Sequence, residues 1–389
     1  MAKTSTSNTE AAVYNRYAEA AKERISELCC PIDYDPSFLK IIPKEILERD
    51  YGCGDPSRYV RPGDTVLDLG CGAGKICYIA AQVAGPEGKV IGVDFNEEML
   101  ALARRYQPQI ARRLGYSNVS FYRAKIQDLA SPLEEIDAYL RNNPIRSSRD
   151  LEKFEAYQGR LSNGAPLIPS DSVDILVSNC VLNLVRQEDK RRLFGEMFRV
   201  LKRGGRIAVS DIVSDEDIPA SMQNDPKLWS GCIAGAFRED RFIEAFESAG
   251  FHAVQIDKYG QEPWQTVRGI EFRSVTVTAR KGKQGPCWER NQAVIYKGPW
   301  KQVEDDDGHV LFRGKRMAVC NKTYNILTSE PYAEQVLPVE PLKEIPLKKA
   351  KPFACKETSL RNPKETKGQR YRKTIDPASE ACCGPEGCV

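Results

Sequence analysis

Short apolar runs alternate with longer helical stripes through the first two thirds of this chain. Residues 66–69, Lys89–Asp94, Val119–Arg123 and residues 173–181 are apolar, rich in β-branched residues and bounded by turn formers. That is the pattern of strands buried on both faces. Between them lie segments of helical period at 76–84, 188–200 and 241–249, and one opened by Asn96 as N-cap with Glu97 and Glu98 in its first turn. A further strand follows Gly204-Gly205, and β-branched runs at 253–258 and 273–278 add two more. Strand and helix in strict alternation predict an α/β fold with an open parallel sheet, whose ligand edge is the carboxyl end of the strands.

The flanking pattern differs. Val13, Tyr14, Tyr17, Ala18, Ala21, Ile25 and Leu28 form a helical stripe that Cys29-Cys30-Pro31 ends, and residues 43–48 read as a short helix behind Pro43. Residues 130–169 are polar and proline-interrupted, with an amphipathic piece at 151–157, which predicts an insertion. From Gly285 short alternating stretches at 293–296, 310–312 and 317–319, with a turn at 305–308, predict a small β-rich domain ending near Pro331. The Pro/Lys-rich remainder, closing on Cys382-Cys383-Gly384-Pro385-Glu386-Gly387-Cys388, is expected to be disordered.

Composition narrows the function. A chain of 389 residues with 41% hydrophobic and 29% charged content fits a globular protein of more than one domain. No apolar run is long enough to span a bilayer, and Met1 to Glu10 lacks a signal-peptide core, so a cytoplasmic protein without a membrane partner is expected. A net charge of +3 is too small to point to nucleic acid. Eleven Lys/Arg face four Glu between Glu340 and Lys373, without an apolar pattern, as in a solvated tail. Thirteen cysteines, an odd number, make a poor secreted disulfide framework. In a reducing compartment they suggest packing, soft-ion binding or redox chemistry. His252 and His309 are the only histidines, so a His-rich zinc site is excluded, and the body of the chain has no paired C-x-x-C spacing.

The chemistry centres on the turn Gly70-Cys71-Gly72-Ala73-Gly74 between the strand ending at Asp68-Leu69 and the next helix. Glycines there permit a sharp bend and close approach of backbone to ligand, and the helix N-terminus behind them favours an anionic group. Asp94 ends the second strand, where a carboxylate can hold ribose hydroxyls, and Met99 lies where it would cover an adenine face. Ile126 and Gln127 follow the third strand, and Asn179 and Cys180 end the fourth. Two cysteine loops stand out: Tyr51-Gly52-Cys53-Gly54, and Gly231-Cys232-Ile233-Ala234-Gly235 between the fifth strand and the next helix.

The glycine turn, Asp94 and the Val200-Leu201-Lys202-Arg203-Gly204-Gly205 corner resemble class I S-adenosylmethionine (SAM) methyltransferases. With Gly52-Cys53-Gly54, Cys77-Tyr78, Ser178-Asn179-Cys180-Val181 and Gly231-Cys232-Ile233, the chain is similar to the arsenite methyltransferases. The resemblance implies a Rossmann-like domain with a seven-stranded mostly parallel sheet, an inserted arsenic-binding loop region and a small α+β C-terminal domain. It divides the chain at 1–60, 61–212, 213–282, 283–335 and 336–389. SAM would be held by Asp68, Gly70, Cys71, Gly72, Gly74, Asp94, Phe95, Met99, Ile126, Gln127 and Asn179. As(III) would bind Cys180 and Cys232 with Cys53 as third ligand, and Cys77 would be the disulfide partner of Cys53 during turnover. No stably bound catalytic metal is implied. Arsenite and methylarsenite are the expected substrates, thioredoxin or glutathione the reductant, and a monomer the expected state. The chain departs from the family at Lys75-Ile76, where Arg-Asp is usual, and at Arg49-Asp50 before Tyr51. Two other readings are a SAM methyltransferase of an organic small molecule or lipid, and a non-enzymatic thiolate protein that binds metalloids.

Overall fold

The computed structural model describes residues 7–23, 25, 32–49, 51–355, 357 and 359–368. Cys29, Cys30, Cys382, Cys383 and Cys388 lie outside the described residues. The described residues up to Gly282 form one compact unit and those from Lys283 onwards a second.

The first unit is built on a nine-stranded sheet: β1 Thr65–Leu69, β2 Lys89–Asp94, β3 Val119–Arg123, β4 Val173–Asn179, β5 Leu201–Ser214, β6 Phe237–Arg238, β7 His252–Tyr259, β8 Gln265–Val267 and β9 Ile270–Arg280. Its main path runs β3-β2-β1-β4-β5-β9-β7. The first five are parallel, and β9 runs antiparallel to both β5 and β7. This is the class I SAM-methyltransferase order of seven strands, and the two short strands β6 and β8 are additions attached to β5 and β9. The central strands are apolar on both sides because both sides are covered: Val66, Leu67 and Leu69 have no exposed surface, and neither do Ile175, Leu176 and Val177. One cluster packs Ile76, Ile79, Met99 and Ile110 against one face, and another packs Leu193, Phe194, Met197, Phe242 and Phe246 against the other.

Helices Lys75–Ala84, Glu97–Leu114, Gln187–Val200 and Glu239–Ser248 connect the strands. Asn96 caps the second of these, accepting the Met99 N–H at 3.1 Å. The insertion consists of two helices, Leu133–Asn142 and Ser148–Gly164, and the latter buries none of its residues. The Gly204-Gly205 corner lies inside β5: the strand begins at Leu201, and the two glycines occupy an irregularity where Val173 pairs with Leu201 and Ile175 with Arg206. The N-terminal helix is Ser7–Ala20. The expected division at 212/213 does not hold, because β5 runs through it and pairs with β9 from Arg206 to Ser214.

In the second unit, Ala293–Tyr296 lies between Arg316–Ala318 and Val336–Val339. Gln302–Glu304 pairs with Val310–Phe312, and Trp288–Glu289 with Lys351–Pro352. Val294, Tyr296, Leu311, Met317, Val319, Leu327 and Val336 form its core. The expectations of a domain ending near Pro331 and a disordered stretch from 336 are therefore corrected as far as residue 368. Val336 completes the core, Arg361 pairs with Glu289 at 2.8 Å, and Thr366 is buried against Arg316. Three anchors hold a stretch whose average composition is that of a tail.

Candidate active site

At the carboxyl end of β1, Gly70, Gly72 and Gly74 have φ of 68°, 50° and 86°, the left-handed region that glycine enters without a steric penalty. The turn is fixed from the next strand: Val93 O accepts the Gly70 N–H at 2.8 Å, and Asp94 Oδ2 accepts the Gly72 N–H at 2.9 Å. A Cβ on Gly70 would strike Val181, whereas the space around Gly72 is open. Asp94 also accepts the Asn96 N–H, and its burial raises it above the ordinary carboxylate value.

This turn forms one wall of a cleft enclosing about 1040 Å³ of empty space, its open mouth included. Of the residues expected to hold SAM, Asp68, Gly70, Cys71, Gly72, Asp94, Phe95, Met99, Ile126, Gln127 and Asn179 line it. Gly74 does not: its missing Cβ accommodates Phe121 and Tyr78, so it serves packing behind the turn. Open backbone at Gly72, a buried carboxylate at Asp94 and apolar walls at Phe95, Met99 and Ile126 suit a nucleoside with a charged tail. The N-terminal helix crosses the cleft. Glu10 binds Lys125 at 2.8 Å, Tyr14 donates to Glu98 at 2.8 Å, and Arg16 reaches Ser230 at 3.2 Å.

Cys180 opens into the same cleft. It follows β4 with φ of 59°, and Cys232 has φ of 63°. Left-handed backbone in a residue with a Cβ costs about 1–2 kcal/mol, and such strain concentrates at functional sites. Here it turns two thiols toward each other: Cys232 Sγ lies 3.4 Å from Cys180 O, and the two side chains are in contact. Cys53 packs on Cys180 as well. Its loop is clamped by Asn179, whose Oδ1 accepts the N–H groups of Cys53 at 2.9 Å and Gly54 at 3.1 Å while Nδ2 donates to Gly54 O at 2.7 Å. A Cβ on Gly52 would fall inside the Asn179 amide, and one on Gly54 would strike Ser210. The two glycines flanking Cys53 thus permit the close approach of loop to sheet.

All three thiols are buried. Burial, the contact with Cys53 and the charge of Asp211 push Cys180 well above the usual thiol value; contact with Cys180, then burial, does the same to Cys232. Both are therefore neutral thiols in the ligand-free cleft. Cys77 is in a different place. It is fully buried, donates to Asp68 Oδ2 at 3.2 Å and packs with Cys71, whereas Cys53 packs with Cys180. Lys75, at the first departure from the family pattern, lies 3.7 Å over the Tyr34 ring.

Four contributors escaped the sequence reading. Asp211, fully buried, accepts Leu182 N–H at 2.9 Å and Asn183 Nδ2 at 2.8 Å, so it fixes the loop after Cys180. Asn183 also reaches Ile212 O and Cys232 O, joining that loop to the second cysteine loop. Lys190 is buried over Phe237 at 3.8 Å, donates to Gly235 O, and is lowered to about 7 by burial. Tyr17 lines the cleft and lies beside Cys232. A buried Asp inside a strand and a Tyr in a helical stripe carry no distinct signal in one sequence.

A methyltransferase-domain family model matches residues 61–156 and 145–250, and a model described as a domain of unknown function matches 283–371. An arsenite methyltransferase of Aquipseudomonas alcaligenes is 29% identical over 344 residues, 82% of this chain and 87% of the relative. One from Halobacterium salinarum is 35% identical over 59% of this chain and 50% of its own length. The human arsenite methyltransferase is 27% identical over 79% of this chain and 75% of its own. Among solved structures, the arsenic(III) S-adenosylmethionine methyltransferase CrArsM from Chlamydomonas reinhardtii superposes with a TM-score of 0.54 at 25% identity, covering 86% of this chain and all of that one. No helix among the described residues is long and apolar enough to cross a membrane.

Proposed function

The chain belongs to the class I SAM-dependent methyltransferases, in the family of the arsenite enzymes, and from that premise we propose that it methylates trivalent arsenic held by Cys180, Cys232 and Cys53. The observation that carries this reading is the pair Cys180 and Cys232, both in left-handed backbone and in mutual contact, with Cys180 lining the glycine-turn cleft and Cys53 packed on Cys180. Thiols select soft ions over hard ones. Arsenous acid exchanges three As–O for three As–S bonds, and the thiol protons leave with the hydroxides as three waters. Neutral buried thiols are the correct starting state for that exchange, since no net charge has to be created in the cleft.

Three sulfurs leave arsenic its lone pair. SAM, when bound, supplies the methyl group, its sulfur taking the S–C electron pair as the As–C bond forms. The protein positions arsenic and keeps the cleft dry, and it needs no general base because arsenic carries no proton to remove. The left-handed turns at Cys180 and Cys232 set the direction of the thiols, and Asp211 with Asn183 holds both turns. Methylation formally takes arsenic from III to V. Two thiolates joining as a disulfide return two electrons; Cys53 and Cys77 form the couple once the Cys53 loop leaves Asn179 and Cys180, and an external thiol, thioredoxin or glutathione, resets it.

The test is speciation of arsenic after incubation with SAM, arsenite and thiol. Cys180→Ser and Cys232→Ser should each abolish methylated products while SAM affinity is retained. Undiminished methylation in both would refute the reading.

A further inference from the structure

The second unit contains a thiol group that the catalytic reading does not use. Cys287, Cys320 and Cys355 come from three separate segments, and their sulfurs all lie within 4.8 Å of one another. Cys287 precedes the strand Trp288–Glu289, and Cys355 follows its partner strand Lys351–Pro352, so the β-pairing that joins them also juxtaposes the thiols; Phe353 N–H donates to Cys287 O at 2.9 Å. Cys320 caps the helix Asn321–Leu327, accepting the Thr323 N–H at 3.3 Å. Cys320 is fully buried, while Cys287 and Cys355 are half-buried, so the group has a closed floor and an accessible face. Spacing hides it: the three are 33 and 35 residues apart and form no short motif.

We infer that Cys287, Cys320 and Cys355 form a second, non-catalytic site for trivalent arsenic within the C-terminal unit. The choice of arsenic rests on the proposed function; the existence of a thiolate site does not. The group holds no fourth His, Cys, Asp or Glu among the described residues. Structural zinc is almost always four-coordinate. Trivalent arsenic completes a pyramid with three sulfurs, its lone pair occupying the fourth direction. Three thiolates also balance its charge, whereas a divalent ion would leave one negative charge over. Binding converts arsenous acid and three thiols to a trithiolate and three waters, with no change of oxidation state. The Lys322 ammonium lies beside Cys287.

The test counts arsenic bound per chain after desalting, by mass spectrometry of the metalloid, on the full-length protein. Cys320→Ser keeps a hydroxyl to cap the helix. It should lose one bound equivalent relative to the parent and still methylate arsenite. Cys355→Ser, outside any helix or strand, should do the same. The Cys180→Ser/Cys232→Ser double variant should retain that equivalent, with three As–S bonds by X-ray absorption, even where methylation is lost. An unchanged count in both single variants overturns the site. Stoichiometric zinc in the purified protein that Cys320→Ser removes overturns the arsenic assignment, as does a Cys287–Cys355 disulfide in the protein isolated under reducing conditions. Failure of the proposed function would appear separately, as absence of methylated products from the parent.

Discussion

Asn179→Ala offers the sharpest probe of how the Cys53 loop is held. Asn179 makes three hydrogen bonds to that loop, at 2.9, 3.1 and 2.7 Å. At about 1 kcal/mol net each, their loss costs about 3 kcal/mol, since the Cys53 and Gly54 N–H groups are left without the carbonyl that caps them. With about 1.4 kcal/mol per factor of ten, the ratio of docked to undocked loop falls about a hundredfold. Cys53 is 7% exposed when docked, so its thiol reports the undocked fraction directly.

The assay is the rate of Cys53 alkylation by iodoacetamide, followed by peptide mass spectrometry under native conditions. Asn179→Ala should raise it about a hundredfold and weaken arsenite binding. SAM affinity, measured by calorimetry on the same sample, separates loss of the loop from damage to the cleft that Asn179 also lines. Gly52→Ala attacks the same contact from the loop, because its Cβ would fall inside the Asn179 amide. Both changes break one interaction, so the double variant should be clearly less than additive. A labelling rate within a factor of two of the parent in both single variants would refute the clamp.

Three other outcomes follow from the same geometry. Gly92→Ala places a Cβ 2.7 Å from Phe121 and 2.8 and 2.9 Å from the sulfurs of Cys77 and Cys71; such overpacking should cost about 1–3 kcal/mol in urea unfolding, and an unchanged midpoint would contradict the packing. Burial raises Asp211 to about 6, above its unfolded value of about 3.9, so the stabilisation from its protonated form is complete below about pH 4 and lost as pH rises past about 6; relative to Asp211→Asn the parent should gain up to about 3 kcal/mol between pH 7 and pH 4, and a pH-independent difference would refute this. Diamide oxidation should link Cys71 to Cys77 faster than Cys53 to Cys77, and Cys71→Ser should redirect Cys77 to Cys53; a Cys53–Cys77 link that dominates in the parent would show that the loop opens before the inner pair reacts.

Much of the catalytic unit was legible because its elements follow from local rules. Lys89–Asp94 and Val119–Arg123 are strands at the bounds their apolar runs suggest, and the helix after the glycine turn starts one residue before its periodic pattern. The lining of the cleft was equally readable, since a parallel sheet sends the end of every strand to one edge. The role of individual side chains was less so. Asn179 lines the cleft as expected, but its amide is spent on the Cys53 loop, 126 residues earlier in the chain. Nothing local to Asn179 encodes that contact; the two glycines around Cys53 do, by leaving room for it.

The Lys/Pro-rich stretch went wrong for the converse reason. Its composition reports the average residue, whereas its order depends on a few: Val336 in the core, Arg361 on Glu289, Thr366 on Arg316. The same contrast separates the two thiol groups. Cys53, Cys180 and Cys232 each stand beside a landmark of the sheet, so the fold alone places them near one another. Cys287, Cys320 and Cys355 depend on antiparallel pairing between Trp288–Glu289 and Lys351–Pro352, across a span with no repeating pattern. A two-residue pairing has almost no sequence signature, yet it determines whether three thiols are scattered or can share one ion.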